Sequence, residues 1–278
     1  MTCSHGPPKP DADAVDILIL THNRSYALAQ CVGSIREWTR HPYRLIIQDH
    51  ASEPEHREHI KRLAGPDLRI VWKQRVLSCN EGRHEGLAEI KSGFCVFLDD
   101  DFRVCEGWLA SLVGTMRMHP LAAAVCANRI DDGKRKVSGA RDIVGGEIRF
   151  REYGYRGSGD YVAGGCTLYR TDALRRLEFR PEYNGTSEDL DHGMQFTKEL
   201  GYELWNGEPT LYHWHGGECG DGYNATRWRP HECFDSAVAM YYRWGIKTIA
   251  QHLYAKYLLQ GIRLCDAHMQ AIAEINAA

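Results

Sequence analysis

Phe94-Cys95-Val96-Phe97-Leu98-Asp99-Asp100-Asp101 joins an unbroken apolar run directly to three carboxylates. An apolar run of that length without alternation fits a strand buried on both faces, as in a parallel sheet covered by helices. Similar runs lie upstream: Val15-Asp16-Ile17-Leu18-Ile19-Leu20, Leu45-Ile46-Ile47 and residues 68–72. Helical patterns separate them. Ala27, Leu28, Cys31, Val32, Ile35 and Trp38 recur at helical spacing, residues 53–63 form a polar helix candidate, and residues 81–92 read as a helix closed by Gly93. Downstream, Trp108, Leu109, Leu112, Val113 and Met116 mark another helix before Pro120, and residues 121–127 a fifth strand. Strand–helix alternation predicts an α/β fold: a mostly parallel sheet flanked by helices. Ligands of such sheets bind beyond the carboxyl ends of the strands. Three of those ends carry polar clusters, at 21–24, 49–52 and 99–101.

After residue 128 the pattern changes. Residues 131–139 read as a charged loop, Val144-Gly145-Gly146-Glu147 as a hairpin turn, residues 154–165 as a Gly- and Tyr-rich loop lining a site, and 190–200 as a helix ending at Gly201. Phe234, Val238, Tyr242, Ile246, Ile249, Leu253 and Tyr257 form one helical stripe, and Leu258, Ile262, Cys265, Met269 and Ile272 a second. This tail is expected to pack on its own domain or on a second subunit, giving a homodimer; contact with a membrane surface is the competing reading.

Composition narrows the classes. Of 278 residues, 43% are hydrophobic and 26% charged, which suits a folded chain rather than a disordered one. The net charge of -3 offers no global basic excess for nucleic acid. No apolar run reaches the roughly 18 residues of a membrane span. Residues 1–14 are polar and read as a loose tail without the core of an export signal. The ten cysteines are scattered, with no two-residue spacer between any pair, so reduced thiols and a cytoplasmic location are expected.

The chemistry-bearing residues form three groups. Adjacent carboxylates repel, by about 4 kcal/mol at 4 Å for an effective dielectric of 20. Asp99 and Asp101 point to one side of an extended chain and suit Mn²⁺ or Mg²⁺; a solvated acidic turn is the bland alternative. In Thr186-Ser187-Glu188-Asp189, a carboxylate either acts as a general base or caps a helix, Thr186 with Asp189 fitting a capping box. His213 and His215 share one side of a short strand, and either completes a carboxylate metal site. Phosphate-binding loops, dinucleotide fingerprints, nucleophile elbows and His-Glu-x-x-His are all absent, which argues against NTPases, dehydrogenases, serine hydrolases and zincins.

Taken in order, these pieces resemble the family 2 glycosyltransferases, whose fold is the Rossmann-like GT-A. The resemblance rests on Ile17-Leu18-Ile19-Leu20-Thr21-His22-Asn23-Arg24, Gln48-Asp49-His50-Ala51-Ser52, Arg83, Phe97-Leu98-Asp99-Asp100-Asp101, Gly164-Gly165, Glu188-Asp189 and His213. It implies a GT-A domain over residues 15–230, with a nucleotide-binding half (15–127) and an acceptor half (128–230), followed by a helical extension (231–278). It also implies roles. Thr21, Asn23, Arg24 and Asp49 hold the nucleoside, Asp49 facing uracil. Arg83 approaches the diphosphate and Asp100 the ribose. Asp99, Asp101 and His213 bind the metal. Gly164 and Gly165 admit the donor sugar. Asp189 is the base, supported by Glu188.

The activity implied is metal-dependent, inverting transfer of a hexose from a nucleotide sugar, UDP-linked by expectation, to a hydroxyl of a glycan, peptide or small molecule. A sugar nucleotidyltransferase and a non-catalytic sugar-nucleotide-binding module are the alternatives. Family members carry Tyr or Phe at His22 and often Asn at His84. The processive motif is matched only loosely by Asn224-Ala225-Thr226-Arg227-Trp228, so a polymer synthase is not expected. Residues 216–230 are expected to form a lid, with Arg227 or Trp228 touching the diphosphate.

Overall fold

The structure, a computed structural model, describes residues 14–214 and 229–278. Four strands, β1 (Val15–Thr21), β2 (Tyr43–His50), β3 (Leu68–Lys73) and β4 (Phe94–Asp99), pair in parallel in the order β4-β1-β2-β3. Their register levels the polar ends, Thr21 opposite Asp49 and Leu20 opposite Asp99. The apolar runs are buried because helices cover both faces. Ile17, Ile19, Leu45 and Ile47 pack with Leu28, Val32 and Ile35 of helix α1 (Ser25–Trp38), while Leu18, Ile46 and Phe97 join a second cluster on the opposite face. Each such side chain, fully buried, contributes about 1.5–3 kcal/mol. Helix α2 (Pro54–Lys61) lies beside α1 and buries only Ile60, in keeping with its polar sequence.

Helix α3 spans Cys79–Gly86 and gives way to a 3₁₀ turn at Leu87–Glu89. The expected helix at 81–92 is therefore shifted. Its start is set by a capping box that the sequence reading passed over: Ser78 Oγ accepts from Glu81 N, and Glu81 Oε2 accepts from Ser78 N. Ser78→Ala is expected to cost about 0.5–2 kcal/mol, the usual worth of an N-cap. Chemical denaturation measures this directly, and an unchanged midpoint would show that the box contributes nothing.

The second half adds β5 (Phe102–Arg103), helix α4 (Trp108–Met118), β6 (Ala122–Asp131), β7 (Arg135–Val137), β8 (Ala140–Val144), β9 (Glu147–Phe150), β10 (Gly157–Gly159), β11 (Tyr161–Val162) and β12 (Cys166–Arg170). The 144–147 turn closes the β8–β9 hairpin as expected. The span 154–165, expected as loop, contains β10 and β11. Strand β12 inserts antiparallel between β4 and β6. After the short helices α5 (Thr171–Leu174) and α6 (Glu188–Met194), the latter continuing as a π-helical segment at Gln195–Glu199, β13 (Glu203–His213) pairs parallel with β6. β13 is longer than the strand expected at its histidine end.

The tail is helical, as expected, but folds as three helices: α7 (Pro230–Trp244), α8 (Thr248–Leu259) and α9 (Asp266–Ala277). Gly245 and Gly261, at φ of 69° and 68°, interrupt the stripes in a conformation that costs a glycine little. Phe234, Ala237, Leu253, Tyr257 and Ile272 form a core among the three helices. Met240 and Ile246 join the sheet's second core, and Trp244 Nε1 donates to Asp191 Oδ1 at 2.8 Å. The extension thus packs on its own chain. Among the described residues, no helix is long and apolar enough to cross a membrane.

Candidate active site

The carboxyl ends of β1 and β4 open on a cleft of about 540 Å³. Thr21, His22, Arg24 and Asp99–Asp101 form one wall; Glu182, Thr186, Glu188 and the first turns of α7 form another. The three carboxylates are kept together by cations. Arg24 bridges two of them, Nη1 to Asp100 Oδ1 at 2.9 Å and Nη2 to Asp101 Oδ2 at 3.0 Å. Thr21 Oγ1 donates to Asp100 Oδ2 at 2.7 Å. Burial, with the neighbouring charges of Asp101 and Asp99, still raises Asp100 to about 7, against the pull of Arg24 and Thr21. Burial also opposes ionisation of Asp101, but His213 and Arg24 outweigh it and hold Asp101 down at about 2.

Pairing of β13 with β6 and β5 brings His213 opposite both Asp131 and Phe102. His213 stacks on the Phe102 ring, centroids 4.4 Å apart. Its Nδ1 lies 3.0 Å from Asp131 Oδ1; a carboxylate only accepts, so Nδ1 is the donor. Nε2 then faces Asp101 Oδ1 at 3.4 Å. Burial favours the neutral ring, yet the Asp101 and Asp131 carboxylates raise the His213 pKa.

Asp99, Asp101 and His213 offer ligand atoms within 4.8 Å of one another, the metal-competent group among the described residues. Asp101 Oδ1 is buried and accepts no hydrogen bond, a cost that a cation removes. Two carboxylates with one imidazole oriented by a third carboxylate fit Mn²⁺ or Mg²⁺. The sequence reading missed Asp131. It stands at the carboxyl end of β6, where the rule for such sheets places ligands, but in the sequence it reads as the start of a charged loop. His215, Arg227 and Trp228, with residues 216–228 of the lid expected over 216–230, lie outside the described residues, as does most of the 1–14 tail.

Arg83, on α3, joins the two acidic groups: Nη1 reaches Glu188 Oε1 at 2.8 Å, and Nη2 reaches Asp99 Oδ1 and Gly164 O at 3.4 and 3.2 Å. Gly164 leaves room for that guanidinium, since a Cβ there would meet Arg83 Nη1 at 2.8 Å. At Gly165 a Cβ would meet the Phe102 ring at 2.9 Å and Asp99 Oδ2 at 3.0 Å. Asp189 Oδ2 accepts from Gly164 N at 3.1 Å and Oδ1 from Leu190 N at 2.9 Å. The Thr186–Asp189 capping box does not form: Ser187 is the N-cap, with no side-chain cap bond.

Two expected nucleoside contacts sit back from the cleft. Asp49 is fully buried and accepts from Arg57 Nε at 2.9 Å and Ser52 N at 3.2 Å, while its Oδ1 has no partner. Asn23 accepts from Glu53 N through Oδ1 at 2.7 Å, tying the β1 end to α2.

The model of glycosyl transferase family 2 matches residues 16–178, more than half of the chain. The chain belongs to glycosyltransferase family 2. Its fold is the GT-A fold of solved glycosyltransferases. The mannosyltransferase PcManGT of Pyrobaculum calidifontis, solved with GDP-Man and Mn²⁺, is 17% identical, with a TM-score of 0.60 over 97% of this chain and 75% of that one. TarS 1-349 of S. aureus, solved with UDP-GlcNAc, is 13% identical at 0.59, over 94% of this chain and 71% of that one. GalNAc-T7, solved with UDP, GalNAc and Mn²⁺, is 15% identical at 0.59 over 82% of this chain. This chain spans 47% of the GalNAc-T7 chain. No curated protein sequence matches it.

Proposed function

We propose that this family 2 chain moves a hexose from a UDP-sugar to an acceptor hydroxyl with inversion, using Mn²⁺ or Mg²⁺. The observation that supports it is that Asp99 and Asp101 of the Asp99–Asp101–His213 group share one cleft with Glu188, the chain neighbour of Asp189. Asp99, Asp101 and His213 would hold the ion, which supplies Lewis-acid neutralisation of the leaving diphosphate. Arg24 holds Asp100 and Asp101 in place and, with His213, keeps Asp101 ionised. Arg83, already paired to Glu188 and Asp99, fixes the spacing between the two acidic walls. Asp189, oriented by Gly164 N and Leu190 N, takes the proton from the acceptor hydroxyl. Nucleotide release from a panel of UDP- and GDP-sugars, with and without Mn²⁺, tests the reading; no release from any donor with metal would reject it.

For Asp49 to read the nucleoside in this proposal, the base must reach past the cleft wall to its buried, unpartnered Oδ1. Asp49→Ala should then weaken UDP binding by about 1–3 kcal/mol, the penalty for a lost buried partner. Calorimetry that finds unchanged UDP affinity, or a preference for GDP, would remove Asp49 from the site.

A further inference from the structure

Four arginines are buried among the described residues: Arg24, Arg83, Arg141 and Arg180. Three have carboxylate partners. Arg24 holds Asp100 and Asp101, Arg83 holds Glu188 and Asp99, and Arg180 holds Asp191 and Glu178. Arg141 has none within ion-pair distance among the described residues. It is 6% exposed, and its Nε is sealed from solvent without a hydrogen bond. Its guanidinium carbon lies 4.7 Å from the Phe150 ring centroid and 5.3 Å from that of Tyr161. Aromatic faces offset part of the desolvation of a cation, but they do not neutralise it. A buried guanidinium kept without an acid is poor structural design and a good anion receptor.

Its position gives the receptor a use. Arg141 and Tyr161 are cross-strand partners of β8 and β11. The β-carbon that Gly193 lacks would fall against Tyr161, so this strand lies directly on α6, the helix that begins with Glu188 and Asp189. The Tyr161 phenol, raised to about 12 chiefly by burial, also feels the charges of Arg141, Asp189 and Arg129. Arg141 therefore stands on the Asp189 side of the sheet.

We infer that Arg141 binds an acidic group, carboxylate or phosphate, carried by the substrate that reaches Asp189. The inference rests on the transferase reading above and names the charge of that substrate. The acid belongs to the acceptor or to the donor sugar, and two binding arms separate these sources. In the first, the full chain is loaded with Mn²⁺ and UDP and titrated with D-glucuronate, D-glucose 6-phosphate and neutral D-glucose. In the second, UDP-glucuronate is compared with UDP-glucose. The acidic probe should bind at least about tenfold more tightly than its neutral counterpart in one arm, as expected for a charge-assisted pair. That preference should vanish in Arg141→Met and return in part in Arg141→Lys.

Equal affinities in both arms of the wild type would overturn the inference whether or not the variants fold. So would an acid preference that survives in Arg141→Met. Arg141→Met should also melt within about 5 °C of the wild-type temperature, since it removes a buried charge that has no carboxylate partner along with one hydrogen bond to Tyr161. A fall of more than about 5 °C would mark Arg141 as structural and likewise overturn it. Mn²⁺-dependent UDP binding on the same samples tests the transferase reading separately.

Discussion

An Asp101→Ala protein should turn over its donor at no more than about one-thousandth of the wild-type rate, because metal neutralisation of a leaving diphosphate is worth several kcal/mol. The fold should survive. Arg24 keeps its 2.9 Å pair with Asp100, and His213 keeps Asp131 at 3.0 Å. Relief of the Asp100–Asp101 repulsion offsets part of the lost Arg24 contact. The loss should appear first in binding: wild-type affinity for a UDP-sugar should rise with Mn²⁺, and the variant's should not. Two measurements on one sample suffice, donor affinity against Mn²⁺ and transfer rate, with a melting curve as control. Full activity of Asp101→Ala in chelator-treated buffer would end the metal proposal.

Asp189→Asn is the second large effect. The carboxylate now accepts two backbone N–H bonds, from Gly164 and Leu190. Asn retains one amide oxygen for them, so the turn should hold at a cost of about 1 kcal/mol. It cannot take up the acceptor's proton. Turnover should fall by about 10²–10⁴ while UDP-sugar affinity stays nearly constant, since a base in the proposed role would face the acceptor rather than the diphosphate. NMR of the wild-type product should show an anomer inverted relative to the donor. Near-normal transfer by the variant, or a retained anomer, would leave Asp189 with the purely structural task of holding the Gly164 backbone.

Much of this site was legible because the strands are nearly uninterrupted apolar runs and the acids follow them at once. Once β1 and β4 are parallel neighbours, Thr21, Arg24 and Asp99–Asp101 must meet at one edge. What escaped the sequence depended on pairing, which leaves no local mark. Residues 166–170 carry no signal that they will run antiparallel between β4 and β6. Asp131 looks like any loop acid until β13 places His213 against it. Ser78 and Glu81, three residues apart, did carry a legible capping signature ahead of a helix with no apolar stripe to mark its start. The tail reads as continuous stripes because glycine is neutral to hydrophobic periodicity, while Gly245 and Gly261 reverse the backbone twist that continuity requires.

The insertion of β12 has a consequence for the nascent chain. As synthesis proceeds from the N-terminus, β1 to β4 with their helices can pair early, but the outer edge of β4 stays uncovered until residues 166–170 emerge. Throughout that interval Asp99, Asp100 and Asp101 stand together without His213, whose strand comes later still. Arg24, made long before them and already placed at the end of β1, can neutralise two of the three. It is an internal counter-ion for the half-sheet in the interval before His213 is made.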